Sequence, residues 1–228
     1  MSDFNKKKAA YHHICNVYDE HIASIKRACG PGCAECCTIN VTLTSLEGYL
    51  IAETLERSGH GYLFETLAGY AARRRFIPQQ TLNQAAEKLF RGDPIADETN
   101  DPDWGHCPLL IDNQCPVYEV RPFACRCMVS EERCRQGVYA LMPPLTVSVN
   151  QVMMQYIEHV DQDGFSGNII DVLKYMRSPD HRRQYREGGR LDYNGFELIR
   201  NHPARHLLAE PEHRESIEPL LAELNRGG

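Results

Sequence analysis

The chain has 228 residues, of which 42% are hydrophobic and 25% charged, and this composition excludes a mainly disordered or collagen-like protein. The formal net charge of -6 argues against general binding to nucleic acid or to anionic membranes. No apolar run approaches the roughly 20 residues of a membrane span, and no apolar segment follows the N-terminal lysines as it would in a secretory signal. We therefore expect a cytoplasmic protein without a membrane or nucleic-acid partner. The sequence does not identify a protein or small-molecule partner.

Apolar spacing and capping signals predict mostly helices. Residues 4–28 place apolar residues, Cys15 among them, on one helical face. Thr44 and Glu47 form a capping box that opens a second helix, which should end near Gly59. Further helices are predicted at 61–76, 78–90 (opened by Pro78), 146–160, 166–177, 193–200 and 212–226.

The middle of the chain is less regular. Residues 92–106 form an acidic, proline-containing loop without periodicity. Apolar segments on both sides of residues 112–114 predict a short β-hairpin. A domain boundary is predicted at the prolines 143–144, with a cysteine-cluster metal-binding domain and its N-terminal helix at 1–144 and a C-terminal helical extension at 145–228. The expected fold is thus mostly α with a small β-hairpin, in which a cysteine-rich, metal-centred core is followed by C-terminal helices.

The ten cysteines are clustered. In a reducing cytosol, clustered cysteines bind metal or carry out redox chemistry more often than they form disulfides. Paired zinc ligands are typically separated by two to four residues, and the first group follows that spacing around a Gly-Pro-Gly turn. Eight cysteines in two groups are therefore predicted as metal ligands, and the groups are expected to meet in space: Cys29, Cys33, Cys36 and Cys37, then Cys107, Cys115, Cys125 and Cys127.

Residues near these groups have weaker assignments. Cys15 lies on the apolar face of the first helix and is predicted to belong to the core. The sequence pattern does not decide whether Cys134 is a metal ligand. Arg121 and Arg126 flank Cys125 and are candidates to offset thiolate charge or to hydrogen-bond its sulfur.

The two motifs together resemble a known family. Cys29-Gly-Pro-Gly-Cys33-Ala-Glu-Cys36-Cys37, followed by Cys107-Pro108-Leu109-Leu110 and by Cys115-Pro116-Val117-Tyr118-Glu119-Val120-Arg121-Pro122-Phe123-Ala124-Cys125-Arg126, is similar to the YkgJ-like cysteine-cluster family, a zinc- or iron-chelating domain named for its CxxCxxCC motif. The similarity covers about residues 29–128, and the first gap has three residues instead of two. The resemblance implies a bound metal or iron–sulfur centre. Because the domain also occurs in methylases, it implies methyl transfer as one enzymatic use.

The identity of the metal is left open between two cofactors. A single iron–sulfur cluster of the 4Fe-4S type needs four cysteines, whereas two all-thiolate zinc sites would use eight and would carry a charge of about -4. Adjacent side chains tend to diverge, so Cys36 and Cys37 could reach different irons, which slightly favours the cluster. The expected function is a cytoplasmic metal-binding protein that holds an iron–sulfur cluster or zinc. The alternative is a metalloenzyme of methyltransferase or redox type, for which no catalytic residue is identified.

Overall fold

The structure, a computed structural model, describes residues 3–30, 32–134 and 140–226. Its helices are α1 Asp3–Ala23, α2 Ser45–Arg57, α3 Leu63–Tyr70, α4 Leu82–Arg91, α5 Phe123–Arg126, α6 Pro144–Val160, α7 Ile169–Met176, α8 Pro179–Arg186 and α9 Arg214–Arg226. Its strands are β1 Thr42–Thr44, β2 Phe165–Asn168 and β3 Leu198–Arg200. The prediction of a mostly α protein with a small β component is confirmed.

The start of α2 follows the predicted capping box. The Thr44 hydroxyl accepts the Glu47 N–H (3.3 Å), and the Glu47 carboxylate accepts the Thr44 N–H (2.8 Å). Helix α1, in contrast, ends at Ala23 instead of residue 28. The Ser24 hydroxyl donates to the His21 carbonyl (3.0 Å), and the chain then becomes irregular.

Two further helix boundaries, those of α4 and α3, were predicted wrongly. Helix α4 begins after Thr81, whose side chain forms a capping box with Gln84, so Pro78 lies in the preceding loop. This box satisfies two backbone N–H groups, those of Thr81 and Gln84, in the first turn of α4. Helix α3 ends at Tyr70 instead of residue 76, and beyond it Arg75 forms an ion pair with Asp171 (2.7 Å).

The three strands form an antiparallel sheet in the order β1-β2-β3. Thr42 pairs with Asn168, and Phe165 pairs with Arg200. The predicted helix at 166–177 therefore begins only at α7, and the predicted helix at 193–200 is wrong because its last three residues form β3. Strand pairing between distant segments outweighed the local pattern. Helix α8 was not predicted, although Ser178 caps it and a proline opens it.

The predicted hairpin is present in its smallest form. Ile111 and Gln114 exchange two backbone hydrogen bonds (3.0 and 2.8 Å) as an isolated bridge. Asp112 and Asn113 at its tip have φ of 49° and 61°, the left-handed backbone that two-residue hairpin turns require.

The core extends over both sides of residue 145. Helix α1 packs against α6 and α9, and α2 packs against α7. Strand β1 precedes that position, whereas β2 and β3 follow it. The division of the chain into two domains stays a prediction. Within the described part of the chain, no helix has the length and apolar character needed to cross a membrane.

Candidate metal centre

The first cysteine group lies in the irregular segment between α1 and β1. Tight turns fold this segment: the Cys33 N–H donates to the Gly30 carbonyl (3.1 Å), and the Cys37 N–H donates to the Ala34 carbonyl (3.0 Å). Gly32 has φ of 85°, a conformation that favours glycine. The chain therefore turns back on itself between successive cysteines, as ligands that converge on one site require.

The two cysteine groups contact each other through their backbones. The Cys107 N–H donates to the Cys37 carbonyl (2.9 Å), and the Ile39 N–H donates to the Gly105 carbonyl (2.9 Å). Thr38 and His106 form an antiparallel bridge between these two bonds. The prediction that the groups meet in space is confirmed.

Cys107 and Cys115 each begin a turn that has proline in its second position. A backbone hydrogen bond of 3.2 Å, donated by the residue three positions on, closes each turn. The same turns bring N–H groups close to sulfur: those of Leu109 and Leu110 lower the pKa of the Cys107 thiol, and that of Val117 lowers the pKa of Cys115, each against the larger rise that burial causes. Donors directed at sulfur stabilise the thiolate, which is the form that binds metal.

Cys125 and Cys127 lie at the C-terminal end of α5 and directly after it. The buried Glu47 carboxylate holds the start of this helix, because it accepts the Phe123 N–H (2.7 Å) while it also caps α2. Sequence analysis identified Glu47 only as a capping residue. The bond between Glu47 and the Phe123 N–H joins residues 76 positions apart, so no local sequence pattern predicts it.

Cys125 has four other cysteines as neighbours, of which Cys127 is buried and the other three are half-buried. Burial raises the pKa of the Cys125 thiol well above its usual range, and four neighbouring cysteines raise it further. Burial also raises the pKa of Cys107 to about 11 and that of Cys127 to about 12. We call this set the inner thiols: Cys36, Cys107, Cys115, Cys125 and Cys127.

Cys29 and Cys33 lie outside this set. The Ser130 N–H donates to the Cys29 sulfur (3.2 Å). Burial raises the pKa of the Cys29 thiol, and the proximity of Cys33, Cys134 and the inner thiol Cys36 raises it further. Cys134, which the sequence left undecided, thus lies beside a predicted ligand, whereas Cys33 is exposed to solvent.

The adjacent Cys36 and Cys37 side chains do not diverge. The Cys37 thiol hydrogen-bonds that of Cys36, and this bond is the largest cause of the raised pKa of Cys36. The expectation of divergent sulfurs is therefore wrong for this conformation. The hydrogen bond brings Cys37 next to the inner thiols.

The two arginines near Cys125 differ in what they contact. Burial raises the pKa of the Cys115 thiol, and the positive charge of Arg121 opposes that rise. Arg121 also lies over the Tyr118 ring, 3.9 Å from its centroid. Arg126 instead forms an ion pair with Asp19 of α1 (2.7 Å). Of the two candidates, Arg121 is the one placed to offset thiolate charge.

The chemistry of this donor set fits a thiolate-bound metal. Soft sulfur ligands suit zinc and iron–sulfur clusters, and buried thiolates need a cation beside them. As the side chains are placed in the described part of the chain, no three cysteine, histidine or carboxylate groups are arranged to hold a metal ion. Cys15 packs in the hydrophobic core on α1, as predicted.

A cleft of about 310 Å³ lies beside α5. Phe123 and Ala124 of α5 contribute to its wall, and the next residue in the chain is Cys125. We call this cavity the α5 cleft.

Comparison with known proteins gives no match: no protein-family model, no curated protein and no solved structure is significantly similar to this chain.

Proposed function

We propose that this chain is a cytoplasmic metal-binding protein of the YkgJ-like cysteine-cluster type, whose cysteines hold an iron–sulfur cluster or zinc. The observation that carries the proposal is the convergence of thiols from both sequence groups around Cys125. Backbone N–H groups aimed at Cys29, Cys107 and Cys115 add to it. A core that buries thiols beside sulfur-directed donors gains from a cation that holds them deprotonated.

An iron–sulfur cluster is the preferred cofactor within this proposal. A tetrahedral zinc ion and a 4Fe-4S cluster each take four cysteines, so the number of thiols does not separate the two cofactors. The adjacent cysteines Cys36 and Cys37 favour the cluster, because neighbouring sulfurs can bind different irons of a multinuclear centre. Arg121 would offset part of the negative charge.

Elemental analysis and the visible spectrum of anaerobically purified protein test the proposal. We expect brown protein with about four irons and four sulfides per chain. If the protein is colourless, contains zinc alone and remains so after reconstitution with iron and sulfide, the cofactor is zinc and not an iron–sulfur cluster. Less than about a tenth of an equivalent of any metal would refute metal binding.

Two variants separate a specific site from adventitious binding. Cys125→Ser should lose the cofactor, because this thiol is the centre of the inner set. Cys15→Ala is the matched control, since Cys15 is also a buried cysteine but packs in the core. Equal metal loss in both variants would indicate general destabilisation.

A metalloenzyme of methyltransferase or redox type is the second candidate. The α5 cleft favours it, because its wall includes the two residues that directly precede Cys125. A substrate in that cleft would lie close to the centre. An enzyme of this kind also needs a coordination position left open by the protein.

A further inference from the structure

The walls of the α5 cleft are mainly apolar. Phe76, Phe123, Met154, Ile157 and Ile199 contribute ring and aliphatic surface to it. Its volume of about 310 Å³ lies at the lower end of the range for small-molecule sites. The cleft therefore suits a compact ligand with a ring-sized apolar body.

The charged groups of the cleft all have the same sign. Glu47, Glu98 and Glu158 line it, and no lysine, arginine or histidine occurs among its described lining residues. These carboxylates come from three separate segments, namely α2, the acidic loop and α6. Carboxyl groups on several walls of an apolar cavity are complementary to a cation, whose charge would stabilise the ionised form that burial disfavours in Glu47 and Glu158.

The carboxylates retain capacity to accept hydrogen bonds. One Glu158 oxygen accepts the His202 N–H (2.8 Å), and the other accepts the Asn83 N–H (2.9 Å). One Glu47 oxygen accepts only the Phe123 N–H among the bonds identified there. A carboxylate oxygen has two acceptor sites, so a bound donor can be added without displacing these bonds.

We propose that the α5 cleft binds a small organic cation in which a ring is joined to a protonated amine. The ring would pack against Phe76 and Phe123, and the ammonium group would donate to Glu158 or Glu47. This inference does not depend on whether the cysteines hold metal.

Binding of three ring compounds of similar shape tests the proposal: benzylammonium, benzyl alcohol and benzoate, each titrated by calorimetry into the full-length protein. Benzylammonium should bind at least about tenfold more tightly than benzyl alcohol, because a charge-assisted hydrogen bond is roughly twice as strong as a neutral one. Benzoate should bind most weakly. Equal affinity for the amine and the alcohol, or no binding of either, would overturn the proposal.

Two substitutions on α4 locate the site. Ala85→Phe adds a ring inside the cleft and should lower benzylammonium affinity at least about tenfold. Leu89→Phe adds a ring to the same helix at a residue that is 49% exposed and does not line the cleft. The affinity of this variant for benzylammonium should therefore stay unchanged. If Ala85→Phe binds as tightly as the parent, the ligand lies elsewhere and the assignment is wrong.

Metal content measured on the same samples keeps the two proposals apart. Protein that binds benzylammonium but lacks metal would refute only the metal proposal. Protein that holds metal but fails to discriminate the amine from the alcohol would refute only the ligand assigned to the cleft.

Discussion

Asn150 of α6 connects the cysteine centre to the helical core, so its removal tests how that centre is held. Its side-chain amide donates to the Cys127 carbonyl (3.0 Å), and its oxygen accepts the Tyr18 hydroxyl (2.8 Å). Asn150→Ala removes both bonds. The Tyr18 side chain is fully buried, and an unsatisfied buried donor costs about 1–3 kcal/mol. The Cys127 carbonyl keeps a bond from the Val129 N–H (2.9 Å). Removing the bond from Asn150 to this carbonyl therefore costs less, about 0.5–1.5 kcal/mol.

Together these losses predict a decrease of about 3 kcal/mol in the free energy of unfolding, or about 6–12 °C in Tm for a chain of this length. Urea unfolding of metal-free protein measures it. Gln151→Ala, on the same helix, is the control and should change stability by less than about 0.5 kcal/mol. Tyr18→Phe combined with Asn150→Ala should lose less than the sum of the single variants. A loss for Asn150→Ala no larger than that of the control would refute the reasoning.

Two further predictions concern thiol reactivity and helix packing. In native metal-free protein at pH 8, iodoacetamide should modify the exposed Cys33 at least about a hundredfold faster than Cys127. Burial raises the pKa of Cys127 to about 12, which leaves about one thiolate in ten thousand at that pH, against about one in four for an ordinary thiol. Equal modification rates of Cys33 and Cys127, measured by mass spectrometry, would contradict the buried environment of Cys127. Gly48→Ala should lower stability by about 1–3 kcal/mol, because its new Cβ would lie 2.3 Å from the Val172 Cγ1 atom on α7. The Cβ atom added by Gly69→Ala in α3 meets nothing within 4 Å, so this control should be neutral or stabilising in thermal unfolding. A loss of stability in both variants would point to a general effect of alanine in these helices and not to the contact with Val172.

Features encoded in a few neighbouring residues were predictable from the sequence. The capping box before α2 and the hairpin at 111–114 depend on contacts within a few positions. The meeting of the two cysteine groups was also predictable, because neither group alone has enough surrounding core. Local patterns therefore described the turns around the thiols well.

Features that depend on distant partners were not predictable. Strand β3 exists because it pairs with β2, and its own sequence suggested a helix. Arg126 directly follows Cys125 in the sequence, yet its ion-pair partner Asp19 lies 107 positions away on α1. Ion pairs and strand pairings of this kind arise from the tertiary structure, which a single sequence pattern does not show.

The fold holds the cysteines on and directly after α5 more firmly than it holds Cys29 and Cys33. The α5 segment that carries Cys125 is tied to α2 by the Glu47 carboxylate, and its end is tied to α6 by Asn150. Cys29, in contrast, receives a single backbone N–H from Ser130, and Cys33 is exposed. A site is held rigidly when its ligands lie on anchored elements. In the proposed metal-bound form, the segment that carries Cys125 and Cys127 would thus hold its ligands in fixed positions, whereas Cys29 and Cys33 would be held less firmly.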